Sequence, residues 1–421
     1  MKNLIRVIFI FVCIILFFSS CVNEATNKDD LMPDSDNKNS NSMDEATLES
    51  VRTPEASQNN ADDPSYFTYE QAIKDSDFLF DRLKEDYPFE GVLYRKYGLT
   101  LDSIKDNFNK SLTDNKNDMN LNKFALLLKD TVQSFQGLAH FGLIDCTRYR
   151  DLREFLKSVY DQNDERYAPF IGKNTMKTYL YFSLPDRMQI LTTPSSNSRN
   201  SSNEISLKIL DDNIAYIKIP SMKSGKALEN DYAELIKFYE EISDFKNLII
   251  DITGNGGGSD WYWMNNIVRP NISKPVKVIN YFFMKQSDRN LRFYELNTGR
   301  SIYESKADQN IIDTLPMINP DDLEKLGPLF EAYKEIYPLK EGEQLFSGNI
   351  YLLVDKHVYS SAESFAMFCH QTGFAYIVGA GTGGDGGGFD PVFIALPESG
   401  LIVRCRASSY LLQKKPVLSF Q

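Results

Sequence analysis

The sequence predicts an α/β protein in which a helical region precedes a core of alternating strands and helices. Two patterns support this fold class. Between Tyr66 and Asp145, apolar residues recur at helical spacing, so that each segment has one apolar face. From Ser206 onward, short apolar runs alternate with amphipathic segments, which is typical of βα units. A chain of 421 residues with 42% hydrophobic residues is long and apolar enough for two domains.

Charge and cysteine content exclude several classes of function. A net charge of −12 without a basic patch argues against nucleic acid as a partner. Of the five cysteines, two belong to the N-terminal segment, and Cys146, Cys369 and Cys405 are widely spaced. That spacing fits neither a disulfide framework nor a metal site, and we predict a protein without metal or organic cofactor.

Residues 1–20 are predicted to be a lipoprotein signal peptide. Lys2 and Arg6 precede an apolar run that stops directly before Cys21. The segment resembles a bacterial lipoprotein signal, in which this cysteine becomes the lipid-modified first residue. An uncleaved membrane anchor is the alternative, because the run is near the minimum spanning length. Both interpretations place the body of the protein outside the cytoplasm, joined to the membrane by a disordered tether over residues 21–64.

Residues 65–150 form the predicted N-terminal helical domain, and residues 151–205 form the predicted connecting segment. The helical domain ends in the sequence QGLAHFGLID, which contains His140, one of three histidines in the chain. A histidine among apolar neighbours is more often a packed core residue than a catalytic one, so its position alone leaves both interpretations open. The connecting segment contains a polar stretch, residues 194–203, which indicates a linker.

Residues 206–421 form the predicted α/β core, and an early strand of this core runs into a glycine turn. The buried strand Asn247–Ile252 is followed by the sequence TGNGGGSDWYW. Glycines at this place allow a sharp turn and present backbone N–H groups to an anion. A phosphate loop is the alternative, but neither GK[ST] nor GxGxxG spacing is present. Strands are also predicted at Ser206–Leu210 and Asn213–Pro220, and a helix at Ala227–Ser243.

A second turn in the core carries two serines. The apolar run Tyr351–Val354 predicts a strand, and a segment with helical spacing begins after Ser360 and Ser361. A hydroxyl at the start of a helix lies near free N–H groups that stabilise an anion, as a nucleophilic serine requires. Serine in this position is far more often only an N-cap, so the turn by itself leaves that alternative open.

Three motifs in this order resemble the tail-specific, or carboxyl-terminal processing, family of serine peptidases. They are LIIDITGNGGGS at Leu248–Ser259, YSSAES at Tyr359–Ser364 and YIVGAGTGG at Tyr376–Gly384. The resemblance covers residues 206–405, with a looser fit back to the histidine of the helical domain. It implies a ClpP/crotonase-like core that hydrolyses peptide bonds in a peptide or protein substrate.

The resemblance also implies the residues of the site. The family's nucleophile stands three residues before a glutamate, which is Glu363 here, so Ser360 is the expected nucleophile. The family's oxyanion hole pairs an N–H of the glycine turn with the N–H of the residue that follows the nucleophile. These positions correspond to Gly256 or Gly257 and to Ser361.

The family splits over the identity of the general base. One branch uses a lysine, and the matching residue here is Asp385, which excludes a Ser–Lys dyad. The other branch, which includes tricorn protease, takes a histidine from a preceding domain, and His140 fits that role. His357 is too close to the serine at a strand end to point at it, and His370 is expected to be a surface or packing residue.

Departures from the family pattern concern mainly how His140 is held. Ala139 stands where the tricorn branch has a serine, and no glutamate follows Glu398 in this chain, which ends at Gln421. The arginine common in the glycine motif is replaced by Thr253. Because a catalytic imidazole needs an orienting partner, the sequence predicts a poorly held His140 and a weak peptidase. A catalytically silent peptide-binding lipoprotein of the same fold is the alternative.

Overall fold

The computed structural model describes most of the chain after the predicted tether, and these residues belong to one compact unit, residues 63–421. The predicted signal peptide, Cys21, the tether and the polar stretch 194–203 lie outside the described residues. In the part of the chain that the structure describes, no helix has the length and apolarity needed to cross a membrane. The described ranges are 65–192, 204–211, 213–315, 319–386 and 391–411.

The N-terminal part of the described chain is helical, as predicted. Two of its helices begin at a capping box, in which Thr68 or Thr100 accepts a hydrogen bond from the backbone N–H three residues on. In chain order the helices are α1 (Tyr69–Asp86), α2 (Glu90–Tyr97), α3 (Leu101–Asp114), α4 (Leu121–Gln133), α5 (Cys146–Val159), α6 (Ala168–Ile171), α7 (Lys173–Phe182) and α8 (Met188–Leu191).

Strands and helices alternate in the remainder of the chain. The helices there are α9 (Gly225–Glu241), α10 (Asp260–Trp263), α11 (Asp288–Thr298), α12 (Pro320–Leu326) and α13 (Ser361–Thr372). The strands of the whole described chain are β1 (Gly142–Leu143), β2 (Ser206–Asp211), β3 (Ile214–Lys218), β4 (Asn247–Asp251), β5 (Val276–Met284), β6 (Phe330–Ile336), β7 (Asn349–Val354), β8 (Tyr376–Gly379), β9 (Val392–Ala395), β10 (Ile402–Cys405) and β11 (Ser408–Leu411).

A five-stranded sheet of order β2-β3-β4-β7-β8 forms the centre of the core. The pair β2–β3 is an antiparallel hairpin, whereas β3, β4, β7 and β8 run parallel to one another. Helices α9 and α13 bury apolar side chains in the same core as β4 and β7. Because parallel strands end at the same edge of a sheet, the loops that follow β4, β7 and β8 are brought together there.

Two antiparallel sheets complete the fold, with strand orders β11-β5-β6 and β1-β10-β9. The second of them connects the helical region to the end of the chain, because β1 pairs with β10 through Gly142 and Arg404. The apolar residues Leu401, Ile402 and Val403 are completely buried in the core that α1–α8 form. Burial of this C-terminal hairpin therefore places β10 beside the segment that carries His140.

The predicted α/β class with a helical N-terminal region is confirmed. The strands β2, β3 and β4 and the helix α9 lie within a few residues of their predicted bounds. The segment predicted to connect the two domains is helical up to Leu191, and it contributes Phe170, Tyr179 and Phe182 to the N-terminal core. The domain boundaries themselves stay a prediction.

Candidate active site

Ser360 occupies the turn between β7 and α13, at the edge of the sheet where the loops meet. Its backbone has φ 57° and ψ −123°, and its side chain makes no capping hydrogen bond to α13. The turn is held from two sides, because the Tyr359 amide donates to the Asn255 carbonyl (3.1 Å) and the Ser360 amide donates to the Gly384 carbonyl (3.3 Å). The hydroxyl is thus presented at the helix start without serving as an N-cap.

His140 meets Ser360 across 220 residues of chain, with 2.8 Å between its Nε2 and the Ser360 Oγ. It lies in a short 3₁₀ turn, Leu138–His140, directly before β1. The Arg406 amide donates to the Ala139 carbonyl (2.9 Å), so the C-terminal strand region fixes this turn. The structure therefore brings together the two residues that the sequence assigned as nucleophile and base.

Asp385 lies on the other side of the imidazole, with its Oδ2 2.5 Å from His140 Nδ1. The contact is short, but it does not have the geometry of a linear hydrogen bond. The prediction that His140 lacks an orienting acid is wrong. Asp385 reaches the histidine because the loop after β8 folds back along the serine turn, where the Gly383 amide donates to the Val358 carbonyl (2.8 Å).

All three residues of this Ser–His–Asp arrangement have positive φ, with values of 57° for Ser360, 56° for His140 and 61° for Asp385. For residues other than glycine, backbone conformations of this kind cost about 1–3 kcal/mol each. They persist only where the surrounding structure imposes them, which is typical of functional sites.

Burial and charge set the protonation states of the pair. Burial lowers the pKa of His140 below its ordinary value, and the contact with Asp385 opposes that effect. Burial alone would raise the pKa of Asp385, but its contacts with His140, Arg406 and Tyr359 lower it below its ordinary value. Arg406 Nε lies 3.3 Å from Asp385 Oδ1, and the Tyr359 hydroxyl contacts Oδ2. A neutral imidazole thus faces an ionised carboxylate, as a general base requires.

The glycine turn after β4 packs directly against the serine turn. Gly257 has φ 100°, and a Cβ atom there would lie 2.8 Å from the Ser361 amide nitrogen, so only glycine allows this approach. Of the predicted oxyanion donors, the Gly257 amide is engaged, since it donates to Asn255 Oδ1 (2.8 Å). The amides of Gly256 and Ser361 donate to no group among the described residues.

Residues 213–416, which contain both turns and Asp385, match the family model described as Peptidase family S41. These residues therefore form a domain of peptidase family S41. His140 lies ahead of the matched residues, so the S41 domain and the helical region both contribute to the site. No curated protein matches the chain.

Several solved structures are distantly similar to this chain. A putative peptidase from Parabacteroides merdae ATCC 43184 is 17% identical, with 82% of this chain and 84% of that chain covered and a TM-score of 0.47. Mature CPAF is 13% identical, with coverage of 82% and 91% and a TM-score of 0.48. The photosystem II D1 C-terminal processing protease is 12% identical, with coverage of 81% and 88% and a TM-score of 0.39.

Within the S41 domain, Lys218 stabilises the start of the glycine turn. Its Nζ donates to Asp251 Oδ1 (2.8 Å) and to the Thr253 carbonyl (2.7 Å), and Thr253 Oγ1 donates to the same carboxylate oxygen (2.7 Å). The cation thus comes from the neighbouring strand β3, next to the position where the family pattern has an arginine. Local sequence could not predict that a lysine replaces this arginine, because Lys218 and Thr253 are 35 residues apart.

The other sequence candidates take no part in the S41 site. His357 and His370 are both exposed, and His357 lies in the turn after β7, where its amide donates to Asp355. Tyr359 and Arg406, which contact Asp385, were not predicted. Tyr359 is the first residue of the motif YSSAES, whereas Arg406 is the last residue of the predicted strand Leu401–Arg406 and belongs to no motif.

Proposed function

We propose that this chain is a serine-type endopeptidase of the tail-specific kind, with Ser360 as nucleophile and His140 as general base. The observation that carries the proposal is the continuous contact from Ser360 Oγ through the His140 ring to Asp385, at 2.8 Å and 2.5 Å. In this mechanism Ser360 attacks the scissile carbonyl, and His140 takes the hydroxyl proton and returns it to the leaving amine. Asp385 orients the ring and stabilises the imidazolium that forms.

The oxyanion of the tetrahedral intermediate would be held by the amides of Gly256 and Ser361. Support for this assignment comes from their availability, since neither amide donates to another described group, and from the position of Ser361 at the N-terminus of α13. Removal of one donor of this kind typically costs about 3 kcal/mol of transition-state stabilisation.

The alternative of a silent peptide-binding lipoprotein depended on the lack of an acid behind His140. Asp385 argues against this alternative, because its side chain is only 9% exposed and directly contacts Nδ1 of His140. Nothing else in the described site favours a protein without activity. We therefore retain the peptidase as the proposal.

A fluorophosphonate probe, which labels only activated serines, tests this proposal through its pH dependence. The labelling rate should fall on acidification, because protonated His140 cannot accept the serine proton. Since burial lowers the pKa of His140, the midpoint should lie below the ordinary value of about 6.5. The measurement is the labelling rate over roughly pH 5 to 8, with heat-denatured protein as control. A rate independent of pH would contradict the role of His140, and no labelling at any pH would contradict the activity.

We further propose that the enzyme is anchored to the outer side of the cell membrane through a lipid on Cys21. The support is the apolar run that ends directly before this cysteine. Metabolic labelling with a palmitate analogue should mark the wild type and not Cys21→Ala. Cys13→Ala is the matched control and should label like the wild type, because Cys13 lies within the predicted signal peptide. Equal labelling of the wild type and Cys21→Ala would contradict lipidation at this residue.

A further inference from the structure

Strand β10 directs a second arginine toward the catalytic centre. Arg404 and Arg406 are two residues apart, and alternate residues of a strand project from the same face. Arg406 contacts Asp385, so this face is the one that looks toward the site. Val403 and Cys405, which alternate with the two arginines, are buried in the apolar core.

Arg404 has no partner of its own in the described part of the chain. It is partly buried, and its guanidinium makes no hydrogen bond or ion pair with any described residue. Burial and the like charge of Arg148 lower the pKa of Arg404 to about 10, although Tyr359 and Asp385 act in the opposite direction. A partly buried guanidinium that lacks an anionic partner is not fully compensated for the water it has lost. An anion supplied from outside the chain would satisfy it.

The backbone leaves room for such an anion. Gly142 is paired directly with Arg404 across β1 and β10, and a Cβ atom there would lie 3.5 Å from the Arg404 Nε. Glycine thus leaves the space next to the guanidinium free of a side chain. Gly142 follows His140 by two residues, so this space lies on the histidine side of Ser360.

We propose that Arg404 determines specificity by binding a carboxylate on the leaving-group part of the substrate. This inference rests on the proposed function. His140 would return its proton to the leaving amine, so the leaving-group part of a peptide lies on the histidine side of the serine. A carboxylate is the anion that peptides carry and that guanidinium binds best. It can come from the free C-terminus of the substrate or from an aspartate or glutamate side chain.

Three peptides with the same scissile bond separate these sources. One ends in a free carboxylate shortly after the bond, one ends in an amide, and one ends in an amide but carries a glutamate in the leaving segment. The wild type should cleave at least one of the two carboxylate peptides with a kcat/KM about 10- to 100-fold above that of the neutral amide, as expected for one charged hydrogen-bonded contact. Whether the free acid or the glutamate peptide is preferred identifies the source.

Arg404→Met should reduce that ratio to about one, and Arg404→Lys should retain part of it, because it keeps the positive charge. Arg150→Met is the matched control, since Arg150 is an exposed arginine of α5, and its ratio should equal that of the wild type. Thermal denaturation checks folding, and Arg404→Gln replaces the Met variant if that variant is unfolded. A wild type that is labelled by the probe but shows no carboxylate preference, or a preference that survives in Arg404→Met, would overturn this inference alone. A wild type without probe labelling would instead contradict the proposed function.

Discussion

Ser360→Ala should lower peptide hydrolysis by about 10⁶-fold and abolish labelling by a fluorophosphonate probe. The physical reason is that the Ser360 Oγ is the hydroxyl 2.8 Å from His140 Nε2, at the start of α13, where an attacking oxygen and its oxyanion can be stabilised. Alanine removes the nucleophile and leaves the oxyanion donors in place. The measurement is kcat/KM on a fluorogenic peptide, together with probe labelling.

Ser361→Ala is the matched control for this variant. In the proposed mechanism Ser361 contributes its backbone N–H, which alanine keeps, so a substantial part of the activity and of the labelling should remain. The two serines are adjacent in the chain, and each variant differs from the wild type by the loss of one hydroxyl group. Loss of activity in Ser361→Ala with retention in Ser360→Ala would show that the assignment of the nucleophile is wrong by one residue.

Asp385→Asn should lower kcat by about 10⁴-fold, the loss seen when the orienting aspartate of a serine protease is replaced by its amide. Asparagine has the same shape, but it carries no charge to stabilise the imidazolium and can hold the wrong tautomer of His140. The loss should appear mainly in kcat, because Asp385 contacts the histidine and not the substrate. Steady-state kinetics with the wild type and the variant measure it.

Glu398→Gln is the control for Asp385→Asn. Glu398 is the last acid in the chain, and it contacts Lys74 and Gln71 on α1, away from the catalytic residues. Its conversion to the amide should leave kcat nearly unchanged. If Asp385→Asn lost less than about tenfold, or if Glu398→Gln lost as much, Asp385 would not be the orienting group.

Short-range patterns were sufficient to predict the two strand-and-turn segments that carry the site in the S41 domain. The strand β4 runs into a glycine turn, and the strand β7 runs into a serine turn and a helix, and both were recognisable because apolar periodicity and glycine act within a few residues. The same patterns placed Ser360 at a helix start. The resemblance to a peptidase family then separated a nucleophile from an ordinary N-cap, which periodicity cannot do.

The partner of His140 was missed for a different reason. In the family pattern Asp385 corresponds to the lysine of one branch, and the orienting glutamate of the other branch lies near the C-terminus, so the pattern does not assign Asp385 to His140. In the structure the loop after β8 returns to the serine turn, and this path depends on backbone hydrogen bonds to Val358 and Ser360. No pattern within that loop indicates where the loop will pack.

Local sequence therefore predicts the fold class and the two turns, because each depends on residues that are neighbours in the chain, and the family resemblance adds the candidate nucleophile. The assembly of Ser360, His140 and Asp385, and the placement of Arg404 beside them, depend on tertiary contacts. Burial of the C-terminal hairpin in the helical core brings β10 to β1, and parallel pairing of β4, β7 and β8 gathers the loops at one sheet edge. These contacts join residues up to several hundred positions apart, and only the packing of the whole chain specifies them.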